Sequence, residues 1–330
     1  MLRLANWLRA RELARLALLA AFLLAACSGP QASIEADIDT AARTELARRP
    51  GDYLNGEARA FLVTRDGRRA GLLWGTVHTD YTDATALPRP VRALFAEAAD
   101  LHVESLAEEA SAAERAELAA TVRPSYSPAA IARLPVATRE AVSDLTLADG
   151  RPARVSLRQL ARLVNAGPAP GILPEAAIVD VNLVGFARSI GTPVAALEPM
   201  SAVLPMMTTD PNGLDEGGEL ELAVRRHDAM PAFDDWMSRT YAAGQTGTLL
   251  AGLVGWRATP GDLARNDRAH DALFTRRNRA WVSVLRRALA APGLHFVAFG
   301  AGHLLGSDGV VALLRADGWT VIPCPHDACP

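Results

Sequence analysis

Short apolar runs that stop at a glycine punctuate this chain, and two of them share a signature. Leu72-Leu73-Trp74-Gly75-Thr76-Val77-His78 reads as a strand running into Gly-x-x-His. More than two hundred residues later, Phe296-Val297-Ala298-Phe299-Gly300-Ala301-Gly302-His303 repeats the form. In open α/β sheets ligands bind beyond the carboxyl ends of the strands, so His78 and His303 converge if their strands are neighbours. A single Gly-x-x-His is common, and a lone histidine at a strand end is usually a structural hydrogen bonder; the pair carries the hypothesis.

The segments around these runs predict the rest of a sheet. Phe61-Leu62-Val63-Thr64, Arg65-Asp66-Gly67-Arg68 and residues 70–77 form a β-hairpin pattern, with Asp-Gly supplying the positive φ of a tight turn. Pro88 and Pro90 open a helix with Val91, Leu94, Phe95 and Ala98 on one stripe. Asp100-Leu101-His102-Val103-Glu104 then predicts a strand ending in a carboxylate. Strand, helix and strand make a βαβ unit, whose right-handed crossover puts Glu104 on the edge to which His78 is delivered.

From about 107 to 260 the pattern is largely helical. Ser111-Ala112-Ala113-Glu114 has the form of a capping box, Ser156 suits the cap of a helix stopping near Gly167-Pro168, and Pro174-Glu175 opens a helix that runs to a C′ glycine at Gly191. Pro193 to Leu197 is a strand candidate with Glu198 at its end, and Trp236, Tyr241 and Trp256 read as packing residues. Thr259-Pro260-Gly261-Asp262 starts a long helix, stopped by Pro292-Gly293, that feeds the strand Leu294 to Phe299. Within it Arg276-Arg277-Asn278-Arg279 by itself reads as a wet helix face. Val310 to Leu314 suits a helix ended by Gly318, and Trp319 to Ile322 a last strand. His102 and His295 fall inside strands as core or supporting residues, His227 and His270 on helices near the surface, and His326 in the tail.

Composition adds compartment. At 330 residues, half of them apolar, the chain can bury the core of one large domain, and beyond the N-terminus it has no apolar tract of about 18 residues that would span a bilayer. Residues 1–26 read as a signal peptide, with arginines up to Arg15, an apolar core from Leu16 to Leu24, and Leu24-Ala25-Ala26-Cys27, which resembles a bacterial lipobox. That implies lipidation of Cys27, a tether over 27–50, where periodicity is weak, and a domain over 51–330. The expected location is the bacterial envelope, on the periplasmic face of the outer membrane since Ser28 and not Asp follows the cysteine. The first 26 residues carry +3 of a formal −3, leaving −6 on the rest with arginines dispersed, so no nucleic-acid footprint is present. In an oxidising compartment Cys324 and Cys329 suit a disulfide closing a small loop; with His326 and Asp327 they match a structural zinc site poorly.

Gly75-Thr76-Val77-His78, Val103-Glu104, Leu197-Glu198, Arg277-Asn278 and Gly300-Ala301-Gly302-His303-Leu304-Leu305-Gly306, in this order, resemble the TraB/GumN family. That family includes the Tiki proteins and is remotely similar to the haem-binding lipoprotein ChaN and to erythromycin esterase-like proteins. The resemblance implies an α+β or α/β fold with a central mixed sheet, flanking helices and a helical middle segment. In the Tiki branch the paired Gly-x-x-His motifs and the first glutamate go with divalent-metal-dependent peptidase activity; carried over, the resemblance implies His78, Glu104 and His303 as ligands of an ion such as Mn, Co or Zn.

Two imidazoles and a carboxylate with open positions suit a catalytic ion, which acidifies water and polarises a carbonyl. Glu198 would then be a further ligand or general base, Arg277 would stabilise an oxyanion or grip a carboxylate, and Asn278 would orient it. Gly75 and Gly300 would allow close backbone approach or positive φ. The substrate expected is a peptide or small molecule. The competing classes are a haem- or small-ligand-binding lipoprotein without catalysis, and an envelope scaffold. Neither His-Glu-x-x-His nor Gly-x-Ser-x-Gly occurs.

Overall fold

A six-stranded mixed sheet in the order β4-β3-β5-β2-β1-β6 organises the described residues of this computed structural model, which are 30–77, 87–106, 109–121, 136, 139–140, 179–203, 220, 224, 226–257 and 270–329. The expected signal peptide, Cys27, His78 and the helix signals at Ser156, Gly167, Pro174 and Thr259 lie outside them. Strands β1 (Ala60–Arg65) and β2 (Arg68–Thr76) form the hairpin, turned by Asp66 and Gly67 at φ of 52° and 75°. Strands β3 (Ala98–Val103), β4 (Val194–Ala196) and β5 (Leu294–Gly300) join β2 in parallel, and β6 (Thr320–Pro323) pairs antiparallel with β1. Parallel strands covered on both faces should be nearly continuously apolar, and the last seven residues of β2 are all buried.

The expected neighbour relation holds. β2 and β5 pair in parallel, with Thr76 opposite Gly300, so both motif strands end on one edge. β5 lies between β2 and β3, and the helix between those two, α1 (Arg89–Ala96), covers one sheet face by setting Phe95 against Phe296 at 4.7 Å. Ala98, read as the end of that helix's stripe, begins β3 instead.

Ser111 and Glu114 close the capping box on Ala112–Thr121, the Ser111 N–H donating to Glu114 Oε2 at 2.6 Å and the Glu114 N–H to Ser111 Oγ at 3.2 Å. The helix before β4 is Val179–Ser189, ended by Gly191 at φ 77°. The opposite sheet face carries α2 (Arg276–Ala290), which buries Asn278, Trp281, Val282, Leu285 and Leu289 and is preceded by a π-helical turn, Asp271–Thr275. Burying each large apolar side chain contributes roughly 1.5–3 kcal/mol. Arg68, at the hairpin, caps the end of that layer by donating to the carbonyls of Leu289, Ala291 and Gly293. Beyond β5, the helix Val310–Ala316 and Gly318 at φ 83° lead into β6 as expected.

The tether reading of 27–50 needs correction where it is described. Residues Pro30–Arg48 form a helix that packs on Thr246–Arg257, with Ile38 and Ala42 fully buried. Its apolar stripe is narrow and half alanine, which hid its period. What lets it dock is the partner: a Cβ at Gly255 would stand 2.7 Å from the Ala41 carbonyl oxygen, so only glycine admits the close backbone approach. Among the described residues no helix is long and apolar enough to cross a membrane.

Candidate functional site

The carboxyl edges of β3, β4 and β5 deliver the polar residues of the site. Glu104 follows β3, and pairing with the next strand continues past it: the Leu197 N–H donates to the Val103 carbonyl at 2.8 Å and the Glu198 N–H to the Glu104 carbonyl at 3.0 Å. The two glutamates therefore stand side by side. Gly300 ends β5, and its N–H donates to Glu104 Oε1 at 2.7 Å. A Cβ at Gly300 would lie 3.2 Å from that same oxygen, so the missing side chain makes room for the carboxylate. At Gly75 a Cβ would lie 2.6 Å from Leu304 and 3.0 Å from Ala301, which lets the 3-10 turn Ala301–Leu304, bearing His303, press onto β2. Neither glycine has positive φ; both serve close approach, and what approaches is protein.

Arg277 holds the cluster together. Its Nε donates to Glu198 Oε1 at 2.8 Å, its Nη2 to Glu104 Oε2 at 2.6 Å and also to Glu198, and its Nη1 lies 3.1 Å from His303 Nε2. The guanidinium stacks 4.6 Å over the Trp281 ring. Arginine has only donors, so the Nε2 it meets is a lone pair. On the other side of the ring, Asn278 Nδ2 donates to the Asp308 carbonyl at 2.9 Å, which turns its Oδ1 toward His303 Nδ1 at 2.6 Å. His303 is thus held in the Nδ1–H tautomer with Nε2 facing the carboxylates, 3.8 Å from Glu104 Oε1.

Burial among Phe274, Trp281 and Phe299 pushes the His303 imidazole down to about 3, so it is neutral at physiological pH. Burial opposes ionisation of Glu104, but the Arg277 guanidinium and the Gly300 N–H more than offset it and hold the carboxyl below the usual range. Burial likewise works against the Arg277 charge, and the two glutamates outweigh it and raise its pKa.

The structure thus brings together Glu104, Glu198, Arg277, Asn278 and His303. The second expected imidazole, His78, lies two residues past the end of β2 and outside the described residues. The Asn278 side chain bonds the Asp308 carbonyl and His303 Nδ1. The run at 276–279 is a wet face only in part: Arg277 and Asn278 point inward because they occupy consecutive positions on the buried side of α2. Asp308 and the aromatic ring cage around His303 had no signal in spacing. Tyr241 is a packing residue as expected, and its hydroxyl also donates to the Gly75 carbonyl at 2.7 Å.

A model of the TraB/PrgY/gumN family matches residues 60–323. The chain belongs to the TraB/PrgY/gumN family. No curated protein and no solved structure matches it. In this family member the stretch matched runs from the first residue of β1 to the last of β6, so it takes in the whole sheet and every described site residue.

One further group lies in the sheet. Asp100, His102 and His295 offer ligand atoms all within 4.8 Å of one another, the only such group of His, Cys, Asp and Glu among the described residues. The disulfide expected in the tail joins Cys324 and Cys329.

Proposed function

We propose that this chain is a divalent-metal-dependent hydrolase, peptidase-like in substrate, acting in the bacterial envelope. The observation that carries this reading is the convergence of a neutral His303 Nε2 and the ionised Glu104 on one guanidinium, a cation already held by the donor set a divalent ion would use. The donors fit such an ion in kind: an unprotonated imidazole nitrogen and hard carboxylate oxygens, with His78 as the third residue. His78, Glu104 and His303 would hold it. When bound, the ion supplies a Lewis acid that polarises a carbonyl and lowers the pKa of water.

The chain's own residues have separable tasks. Glu198, beside Glu104, accepts a proton from the attacking water or adds an oxygen ligand. Arg277, released from one of its carboxylates, binds developing negative charge or a substrate carboxylate bidentately. Asn278 keeps His303 in the tautomer that presents Nε2. Trp281 supports the guanidinium plane, and the Phe274, Trp281 and Phe299 rings exclude water from the imidazole.

The Cys324–Cys329 disulfide supports an oxidising compartment, and Cys27 would carry the lipid that holds the chain to the membrane. The test is hydrolysis of a mixed peptide library by the full-length chain. Chelation should abolish cleavage and one divalent ion restore it, while Glu104→Gln and His303→Ala stay inactive with any ion. Metal-independent cleavage, or a His303-dependent Soret band on adding haem without cleavage, would replace the hydrolase reading.

A further inference from the structure

Beneath the rim, on the same two strands, the Asp100, His102 and His295 side chains face one another under α2. Asp100 and His102 alternate onto the same face of β3 as Glu104, and Asp100 is directly opposite His295 across the parallel ladder. His295 is 2% exposed and His102 7%, whereas the Asp100 side chain is 26% exposed and opens the group to solvent on one side.

The hydrogen-bond pattern of this group is incomplete in an informative way. His295 Nε2 lies 3.3 Å from the Ala291 carbonyl and Nδ1 2.8 Å from an Asp100 carboxylate oxygen; both partners only accept, so a neutral ring has a proton for one of them and not for the other. With the proton on Nε2, Nδ1 is a lone pair facing a lone pair of that carboxylate oxygen; with it on Nδ1, Nε2 faces the Ala291 carbonyl in the same way. In either case something positive belongs between the ring and one of its acceptors. A proton would serve His295 alone. His102 remains: its Nε2 is 3.3 Å from the same Asp100 oxygen without forming a hydrogen bond, and neither of its ring nitrogens has a hydrogen-bond partner among the described residues. A buried imidazole with both nitrogens unmatched bears the full loss of its hydration, which one shared proton does not repair.

We infer that Asp100, His102 and His295 form a second metal site, taking a Zn²⁺-class divalent ion through His295 Nδ1, His102 Nε2 and an Asp100 carboxylate oxygen. Such an ion gives a partner at once to His295 Nδ1, His102 Nε2 and the Asp100 carboxylate, and leaves His102 Nδ1 as the one ring nitrogen of the group without one among the described residues. Separations of 2.8 and 3.3 Å to the shared oxygen are the edges spanned by ligands about 2.0–2.2 Å from one ion at angles of roughly 85–105°. Two imidazoles and one carboxylate favour a borderline transition ion over Mg²⁺ or Ca²⁺. With Nδ1 on the ion the His295 proton sits on Nε2, and its contact to a backbone carbonyl is the outer support that metal-bound histidines usually have. The ion would tie β3 to β5 just below the points where these strands deliver Glu104 and Gly300 to the rim. It rests on residues separate from those of the proposed catalytic centre.

The test counts metal per chain in full-length protein stripped with chelator, reloaded with Zn²⁺ or Co²⁺ and desalted. His102→Gln and His295→Gln should each lower the content by one equivalent relative to wild type. The Glu104→Gln/His303→Gln double variant should keep that equivalent, whatever it loses at the rim, so failure of one site is distinguishable from failure of the other. Folded His102→Gln and His295→Gln proteins that retain wild-type content would overturn the proposal. Should those variants fail to fold, Co²⁺ is added to the rim double variant: a visible d–d band with one bound equivalent supports the site, and no bound Co²⁺ overturns it.

Discussion

A buried arginine and a half-buried one stand on the same rim of the sheet and do opposite things with their charge. Arg59, just before β1, is matched one to one: Nε donates to Asp327 Oδ1 at 2.9 Å and Nη2 to Oδ2 at 2.5 Å, with the guanidinium 4.9 Å over Trp74 and 4.5 Å over Tyr241. Burial lowers its charge affinity, and Asp327 more than restores it. Side-chain exposures of 6% and 9% show a sealed pair that pins the disulfide-closed tail to the sheet. Arg277 instead faces two carboxylates and a neutral imidazole, and Glu104 beside it keeps 23% exposure. A single guanidinium against two carboxylates leaves negative charge to spare and a route from solvent. The lesson is that a satisfied ion pair builds structure, whereas an undersupplied one is a place for a further cation.

Substitutions should separate the two. Glu104→Gln is expected to lower hydrolysis about 10²–10⁴-fold with little change in fold, measured as kcat/KM beside far-UV circular dichroism. Asp327→Ala leaves Arg59 buried without a partner and should cost about 3–5 kcal/mol in chemical denaturation, while the folded fraction keeps its activity. If Asp327→Ala instead removed activity at unchanged stability, the division of labour would be wrong. Opening the tail loop with Cys324→Ser and Cys329→Ser should cost less, about 2 kcal/mol for a loop this short, read from the same denaturation curves.

The smallest effect concerns His303. Its imidazole stays neutral down to about 3, against an ordinary 6.5, so the unfolded chain binds a proton through that window that the folded chain does not. Above 6.5 the ring is neutral in both states and contributes nothing to the pH dependence; as pH falls toward 3 stability is lost. His303→Gln should therefore flatten the stability profile between about pH 6 and pH 4 by up to one proton's slope. An unchanged slope would mean that the ring is more hydrated than its aromatic surroundings imply.

Much of this architecture was legible because strong local signals agree with it. The Asp66-Gly67 turn, the Ser111 to Glu114 box and the stop at Gly191 are settled within a few residues, so tertiary context had little to override. The doubled Gly-x-x-His pattern pointed to the right edge for His303 because both strands end there in register. Less was readable where the information sits in the partner. The Pro30–Arg48 helix depends on Gly255 across from it, and the inward turn of Arg277 depends on carboxylates from β3 and β4. Asp100, His102 and Glu104 did show the alternation of a strand face, yet His295 joins them only through a parallel pairing of distant segments.

The central claim is that Glu104 and His303 hold a catalytic ion at the rim. Its most direct test is a titration of Zn²⁺, Mn²⁺ or Co²⁺ into chelated full-length chain while peptide hydrolysis is followed, with Glu104→Gln run in parallel. Recovery of wild-type activity with one of these ions, and none in Glu104→Gln at any concentration, is the result predicted. Equal recovery in Glu104→Gln would contradict it.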